Sequence, residues 1–318
     1  MRIRPRSASS DAAAPLAPER VRAFAIAGTA FTTGKASPGL HLVATPIGNL
    51  GDITLRALET LAGADVVACE DTRVTRRLME RYAITTPLTP YHDHNAEEAR
   101  PKLLARLARG EAVALVSDAG TPLISDPGFK LVRAARAEGH AVEALPGASS
   151  VLAALSLAGL PTDRFHFEGF LPAKEQARAA RARELARLDA TIVAFESGAR
   201  LARALADLAT AMGERDLAIC RELTKLHEEV RSGRLGDLAA QADSLETRGE
   251  FVLVIGPPEA RAPSAAELDA LLRQALRQSS VKDAAALVAS ATGHARREVY
   301  ARALQLAAKP ATERDDDA

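Results

Sequence analysis

Ala112-Val113-Ala114-Leu115-Val116-Ser117-Asp118-Ala119-Gly120-Thr121-Pro122-Leu123-Ile124-Ser125-Asp126-Pro127-Gly128 decides how this chain is built. Its first five residues are apolar without alternation, the pattern of a strand buried on both faces. The run from Ser117 to Gly128 is polar and rich in glycine and proline, so it continues neither a strand nor a helix. Helical spacing begins at Phe129 and stops at Gly139, a residue suited to a helix end. Strand, glycine-bearing loop and helix form the unit of an open α/β sheet. In such sheets ligands bind beyond the carboxyl ends of the strands.

Outward from this stretch the unit repeats. Leu40–Ala44, Val66–Cys69 and Ala141–Ala144 read as strands, and Leu55–Leu61, Thr75–Tyr82, Ala96–Arg109 and Ser149–Ala158 as helices. Short apolar strands alternating with helices predict a largely parallel sheet covered on both faces, over residues 39–160. After the turn Gly159-Leu160-Pro161-Thr162, a second α/β block takes residues 161–258. Its strands are Phe165–Phe170, Thr191–Phe195, Leu217–Cys220 and Phe251–Ile255, and its helices Ala177–Leu188 and Leu201–Met212. A proline-rich linker, Gly256–Pro263, leads to Ala/Leu-rich helices at Ser264–Gln278 and Val281–Leu306, a small appendage over 264–308. The fold class is α/β, with two α/β domains and a helical appendage. The acidic end, Glu313–Ala318, reads as frayed.

Residues 1–38 are rich in Ala, Ser, Pro and Arg and carry no periodicity. They read as a disordered basic extension, because so little apolar surface does not offset the entropy of ordering. Arg22 interrupts the apolar run Val21–Ala27, which is too weak for a secretory signal. Gly28–Ala36 is not a P-loop, since five residues separate its glycines and Ala36 follows the lysine where a hydroxyl is required.

The 318 residues are 47% apolar and 26% charged, an ordinary globular balance. Forty-one basic residues match forty-one acidic ones, so nucleic-acid binding must rest on a local patch. No apolar run approaches the ~20 residues of a membrane span. Cys69 and Cys220 each close a strand, where a buried thiol is expected, and no histidine stands at zinc-ligand spacing. A reducing cytoplasm fits. With aromatics at 3% and no tryptophan, stacking of bases on an aromatic platform is disfavoured.

Chemistry gathers in three loops that follow strands: Thr45–Asp52, Ser117–Gly128 and Pro146–Ser150. Glycines let backbone N–H groups approach a ligand, a helix N-terminus favours a carboxylate, and aspartates favour an ammonium or ribose hydroxyls. Turn formation alone explains any one such loop. It explains three at successive strand ends poorly.

These loops resemble those of the tetrapyrrole-methylase-fold methyltransferases, and among them the enzymes that modify small-subunit ribosomal RNA. The resemblance runs from Leu40 to Leu306. It rests on Ala44–Ile53, Cys69-Glu70-Asp71-Thr72-Arg73, Tyr91-His92-Asp93-His94-Asn95, Ser117–Gly128 and Pro146–Ser150. Phe195-Glu196-Ser197 with Arg200, Arg221–Lys225 and Gly249–Ile255 extend it. It implies S-adenosyl-L-methionine held in a cleft between the two α/β domains, no metal, and a homodimer. The implied reaction is 2′-O-methylation of a cytidine ribose in the decoding region of 16S rRNA in the 30S subunit.

Carried over residue by residue, Pro46 and Gly48 shape the first cofactor loop, Asp118, Gly120 and Thr121 the second, and Pro146, Gly147 and Ala148 the third. Phe195, Leu223 and the segment around Glu250 supply the second domain's side. The cofactor is already activated, so the enzyme aligns the 2′-oxygen and helps remove its proton. Candidate bases are Asp71, His92 or His94, and Glu222, with Lys225 or Arg73 holding a phosphate or lowering a neighbour's pKa. Each has a bland alternative: Asp71 with Arg73 as a structural ion pair, a solvent-facing histidine loop, and Glu222 with Lys225 pairing along a helical turn. Asp283–Tyr300 resembles a helix-turn-helix with Gly293 in the turn and Arg296, Arg297 and Arg302 along the second helix, the alternative being a brace against the body. Two competing functions stay open, a tetrapyrrole (precorrin-type) C-methyltransferase and a non-enzymatic helix-turn-helix nucleic-acid-binding protein.

Overall fold

The computed structural model describes residues 21–259 and 264–308. The chain divides into two compact units, one ending at Pro257 and one starting at Pro258. The first opens with a hairpin, β1 (Ala23–Ile26) and β2 (Thr29–Thr32), antiparallel about Ala27 and Gly28. Both turn residues have positive φ, the geometry that matches the twist of a two-residue hairpin. This corrects the expectation of disorder over 1–38 for its second half. Phe24 is buried at 4% exposure, packed with Leu58, Leu61 and Tyr82. Arg22, taken as the interruption, has its charge matched by Asp65 at 3.1 Å, and Lys35 reaches the same carboxylate at 3.1 Å. One aromatic anchor and one ion-pair node order a segment whose composition looked too poor to fold. Residues 1–20 and the acidic end lie outside the described residues.

The first sheet takes the strands β3 (Gly39–Val43), β4 (Val66–Cys69), β5 (Leu88–Pro90), β6 (Ala112–Val116) and β7 (Val142–Leu145). Their order is β5-β4-β6-β3-β7 and every neighbouring pair is parallel. The helices α1 (Leu55–Gly63), α2 (Thr72–Arg81), α3 (Ala96–Ala108) and α4 (Phe129–Ala137) cover it. β4 and β6 are buried at every position. Their alternate side chains serve two cores, Val67, Cys69, Ala114 and Val116 on one face and Val66, Ala68, Val113 and Leu115 on the other. Burial on both faces is why these strands read as continuous apolar runs. β5 went unread because its three residues, Leu-Thr-Pro, carry no period.

Helix α5 (Ser150–Ala158) follows β7 but packs on the second sheet, through Val151, Ala154 and Leu155 against Val193, Ala218 and Val252. That sheet comprises β8 (Phe165–Phe170), β9 (Thr191–Ser197), β10 (Asp216–Arg221), β11 (Glu229–Arg234) and β12 (Glu250–Ile255), in the order β11-β10-β12-β9-β8. Only β8 and β9 are parallel; the other pairs are antiparallel. Its other face is closed by α6 (Glu175–Leu185), α7 (Gly198–Met212) and α8 (Leu235–Ala240). β11 escaped the sequence reading because Glu229-Val230-Arg231-Ser232-Gly233-Arg234 is a polar edge strand, the usual way an open sheet edge is kept from pairing.

The second unit is three helices, α9 (Ala265–Leu276), α10 (Val281–Thr292) and α11 (Arg296–Ala308), around Leu272, Ala285, Val288, Val299 and Ala303. Ser264 and Glu267 form a capping box that starts α9. Gly293, left-handed at φ 69°, ends α10 and splits the segment as the helix-turn-helix reading required. No described helix is long and apolar enough to cross a membrane.

Candidate active site

The three loops meet at the carboxyl edge of the parallel sheet. Thr45 and Gly120 exchange backbone N–H···O bonds of 2.9 Å in both directions, tying the first loop to the second. The Thr121 hydroxyl donates to the Ala148 carbonyl at 3.2 Å, tying the second to the third. Gly147 packs so closely on the end of β3 that a Cβ there would stand 2.7 Å from the Ala44 Cβ. Gly48 faces the other half of the unit, and its Cβ would lie 2.7 Å from Thr224 Oγ1 and 2.9 Å from the Leu223 carbonyl. Asn49 N–H donates to that same threonine hydroxyl at 3.0 Å. Sequence predicted glycines for close approach to a ligand; at Gly48 and Gly147 the close partner is protein.

Between the loops and the second sheet lies a cavity of about 320 Å³, within the range that holds cofactor-sized ligands. Ile47, Ala119 and Ser150 come from the three loops, Ser125 and Asp126 from the far end of the second, Phe195 and Glu250 from the second sheet, and Leu223 from the turn after β10. Phe167 and Phe170 set their rings edge-on to Phe195, at 5.0 and 5.5 Å, and Phe170 also lines the cavity. Of the predicted cofactor contacts, Phe195 and Leu223 therefore line the cavity directly. Pro46, Gly48, Asp118, Gly120, Thr121, Pro146, Gly147 and Ala148 form the loops beside it, and their chain neighbours make the wall. The side chain of Asp118 is turned away, accepting the Asp71 N–H at 2.9 Å. A mixed wall of backbone, aromatic rings and a few carboxylates fits a sulfonium nucleoside with a zwitterionic tail.

The second loop has an unusual backbone. Leu123 and Ser125 have φ of 75° and 64°, and Gly128 has 136°. Left-handed conformations at non-glycine residues are costly and concentrate at functional sites. Ser125 lies close to the bulge of β8, where a Cβ on Gly169 would meet its Oγ at 2.9 Å.

The predicted proton acceptors separate by their surroundings. Asp71 caps α2 and lies 2.6 Å from Arg73; that guanidinium holds its carboxyl down at about 2. Glu222 sits in another left-handed turn at φ 50°, where its carboxylate accepts from Lys225 Nζ at 2.8 Å and from the Glu250 N–H at 3.0 Å. Burial alone would raise its pKa, but these two donors keep it below the usual range. The turn is not helical; Lys225 is a clamp that also binds Glu250 at 2.8 Å. His92 and His94 face one another with ring centroids 6.1 Å apart. His92 Nδ1 is buried without a hydrogen bond. Asp71, His92, Glu222 and Lys225 are thus close to the loops, yet none is among the cavity-lining residues.

The sequence reading passed over Asp126. It lines the cavity, and burial, with Glu70 and Asp118 adding negative charge, pushes its carboxyl up to about 6. Glu70 is itself raised, by burial first and then by Asp118. Glu196, also lining the cavity, is buried at 2% exposure, with Arg200 Nε 3.2 Å away.

Residues 39–239 match the family described as Tetrapyrrole (Corrin/Porphyrin) Methylases, and residues 262–307 match the RsmI C-terminal HTH domain. The chain is 52% identical over 271 residues to the Ribosomal RNA small subunit methyltransferase I of Mesorhizobium japonicum, covering 85% of this chain and 92% of that protein. Against the protein of the same name from Erythrobacter litoralis the identity is 50% over 270 residues, covering 85% and 96%. The crystal structure of uroporphyrin-III-C-methyltransferase from Thermus thermophilus superposes with a TM-score of 0.50 at 25% identity, covering 69% of this chain and 94% of that one. A parallel and a mixed sheet closing on a loop-walled cavity are thus those of an S-adenosylmethionine-dependent methyltransferase, and the reading as a non-enzymatic DNA- or RNA-binding protein falls away. The chain belongs to the tetrapyrrole methylase family, in the branch of the ribosomal RNA small subunit methyltransferases I.

Proposed function

We propose that this enzyme transfers a methyl group from S-adenosyl-L-methionine to the 2′-oxygen of a cytidine ribose in the decoding region of 16S rRNA, acting on the 30S subunit in the cytoplasm as a homodimer. The observation that carries the reading is the joint one of the 320 Å³ cavity beneath three laced loops and the helix-turn-helix unit at 262–307. A small tetrapyrrole gives no reason for that second unit, whereas a large RNA substrate needs docking surface away from the reacting atoms. Identity of 52% to a ribosomal RNA enzyme against 25% to a tetrapyrrole enzyme points the same way.

In this reading Phe195 of the second sheet and Leu223 of the turn after β10 pack on the cofactor. The loops at Pro46, Gly48, Asp118, Gly120, Thr121, Pro146, Gly147 and Ala148 present backbone to it. When bound, the sulfonium supplies a methyl carbon already activated for in-line displacement. The chain's own tasks are then to exclude water, align the attacking oxygen and receive a proton. Lys225 and Glu222 brace the loop that carries Leu223. The test is tritium transfer from labelled S-adenosylmethionine to 30S subunits lacking the modification, with precorrin and protein acceptors as controls. Label in 16S rRNA at one cytidine, resistant to base removal, is expected; label only in the controls would overturn the reading.

A further inference from the structure

Among the described residues, each carboxylate that lines the cavity is provided with a cation or with backbone donors, Asp126 excepted, and so are the predicted bases Asp71 and Glu222 beside it. Asp71 has Arg73, Glu222 has Lys225 and the Glu250 N–H, Glu250 has Lys225, and Glu196 has Arg200 beside it and the Ser197 N–H at 2.8 Å. Asp118 accepts the Asp71 N–H. Among the described residues Asp126 has only the Ser117 hydroxyl as a neighbouring donor, a group that also reaches the Ala119 carbonyl at 3.2 Å, and the charged groups facing it, Glu70 and Asp118, are both negative. It lies on the cavity wall, in a loop bent through left-handed Leu123 and Ser125, with Ser125 close against Gly169 of β8. Two left-handed residues just before Asp126 set the turn that places its carboxylate on the cavity wall.

We propose that Asp126 accepts the proton of the ribose hydroxyl during methyl transfer. This rests on the reading of the cavity as a ribose-methylating site. As the ribose 2′-oxygen bonds to the methyl carbon, the carbon–sulfur bond breaks with its electron pair left on sulfur. The hydroxyl proton passes to a carboxylate oxygen of Asp126, which afterwards returns it to water. A carboxylate held down by a cation, as Asp71 is, is a weak proton acceptor. One surrounded by Glu70 and Asp118 is a stronger base, and it is still ionised at neutral pH because its carboxyl titrates at about 6. Glu70 is a positioning residue here. It acts on the reaction only through the charge it sets against Asp126.

The test compares wild type with Asp126→Asn, Asp126→Glu and Glu70→Gln, using single-turnover methyl transfer to 30S subunits at saturating cofactor between pH 5 and 8.5. Cofactor affinity is measured by calorimetry. Asp126 is also titrated directly by carbon NMR of carboxyl-labelled aspartate in the protein without cofactor, its resonance assigned by its loss in Asp126→Asn. Asp126→Asn should lower the rate by ~10²-fold or more with cofactor affinity within threefold, and Asp126→Glu should recover part of it. In wild type the rate should rise through an apparent pKa near that of the Asp126 resonance. Glu70→Gln should move both to lower pH together, an effect no structural role predicts. A rate within threefold of wild type in Asp126→Asn, a cofactor affinity lost in step with the rate, or a pH limb that ignores Glu70→Gln would each overturn the proposal. If wild type itself fails to label 30S subunits, it is the functional reading that fails.

Discussion

Gly120→Val tests whether the laced loops hold the cofactor. Gly120 sits at φ 78°, and a Cβ placed on it lies 3.3 Å from Ile47 Cγ2 and 3.8 Å from the Ala148 carbonyl oxygen. A left-handed L-residue costs roughly 1–2 kcal/mol, and forcing a branched side chain into filled space adds roughly 1–3 kcal/mol. The sum, about 2–5 kcal/mol, falls on the two 2.9 Å bonds that tie Gly120 to Thr45. The loop can relieve it only by moving Ile47 and Ala119, both of which line the cavity. Calorimetry with S-adenosylmethionine should show at least ~10-fold weaker binding, the equivalent of 1.4 kcal/mol. Gly110→Ala is the control, because Gly110 has nearly the same φ, 74°, with no atom within 4 Å of the added Cβ. It should lose roughly 1–2 kcal/mol of stability and leave binding unchanged. A folded Gly120→Val that melts with Gly110→Ala and binds cofactor within threefold of wild type would refute the reasoning.

Phe24→Ala removes the anchor of the amino-terminal hairpin and should cost about 3 kcal/mol, seen as a fall in melting temperature; a variant beginning at residue 39 that melts with the full chain would show that the hairpin stabilises nothing. Arg302→Ala should loosen the second unit, because Arg302 Nε lies 2.6 Å from Asp269, a carboxylate of 8% exposure. With the Arg302 side chain 42% exposed and Arg273 also 3.8 Å from Asp269, a modest loss of stability is expected, read as faster hydrogen exchange within 264–308 at unchanged cofactor affinity. Arg296 and Arg297 are exposed and make no ion pair among the described residues, so replacing both by Ala should weaken 30S binding and flatten its salt slope by roughly 1.4 to 1.8. Unchanged 30S binding at every salt concentration would remove them from the interface.

Burial on both faces of a sheet leaves a mark in sequence. β4 and β6 have buried side chains at all their positions, and the strand, loop and helix order around them followed from apolar runs and glycines alone. The second sheet was legible as strands but not as a sheet, since direction is set by where connections cross. Only β8 and β9 run parallel, and the polar edge strand β11 has no apolar signature. Arg302 shows the same limit within a helix. Placed by spacing beside Arg296 and Arg297 as a nucleic-acid contact, it is committed instead to Asp269, thirty-three residues earlier. The hairpin was missed because Phe24 and Arg22 find their partners in α1, α2 and at Asp65, which no local count of apolar residues anticipates.

Choosing among the carboxylates was a harder problem, though part of its answer was local. Asp71 and Glu222 drew attention as bases, and each has a cation two or three residues further on, Arg73 and Lys225, that the structure shows in contact. A carboxylate with so near a counter-charge is the poorer base whichever fold surrounds it. Asp126 stands in the stretch that decided the fold. The next cation after it, Lys130, is engaged by Glu97 at 3.0 Å. Counter-charge thus ranks Asp126 above the other two once the structure shows Lys130 turned to Glu97. What sequence did not contain is the convergence that makes the ranking matter: Glu70 arriving from the end of β4, Asp118 from its own loop, and the left-handed turn at Ser125 that holds Asp126 on the cavity wall. Those are tertiary facts, and they leave Asp126, among the described carboxylates that line the cavity, without a counter-charge.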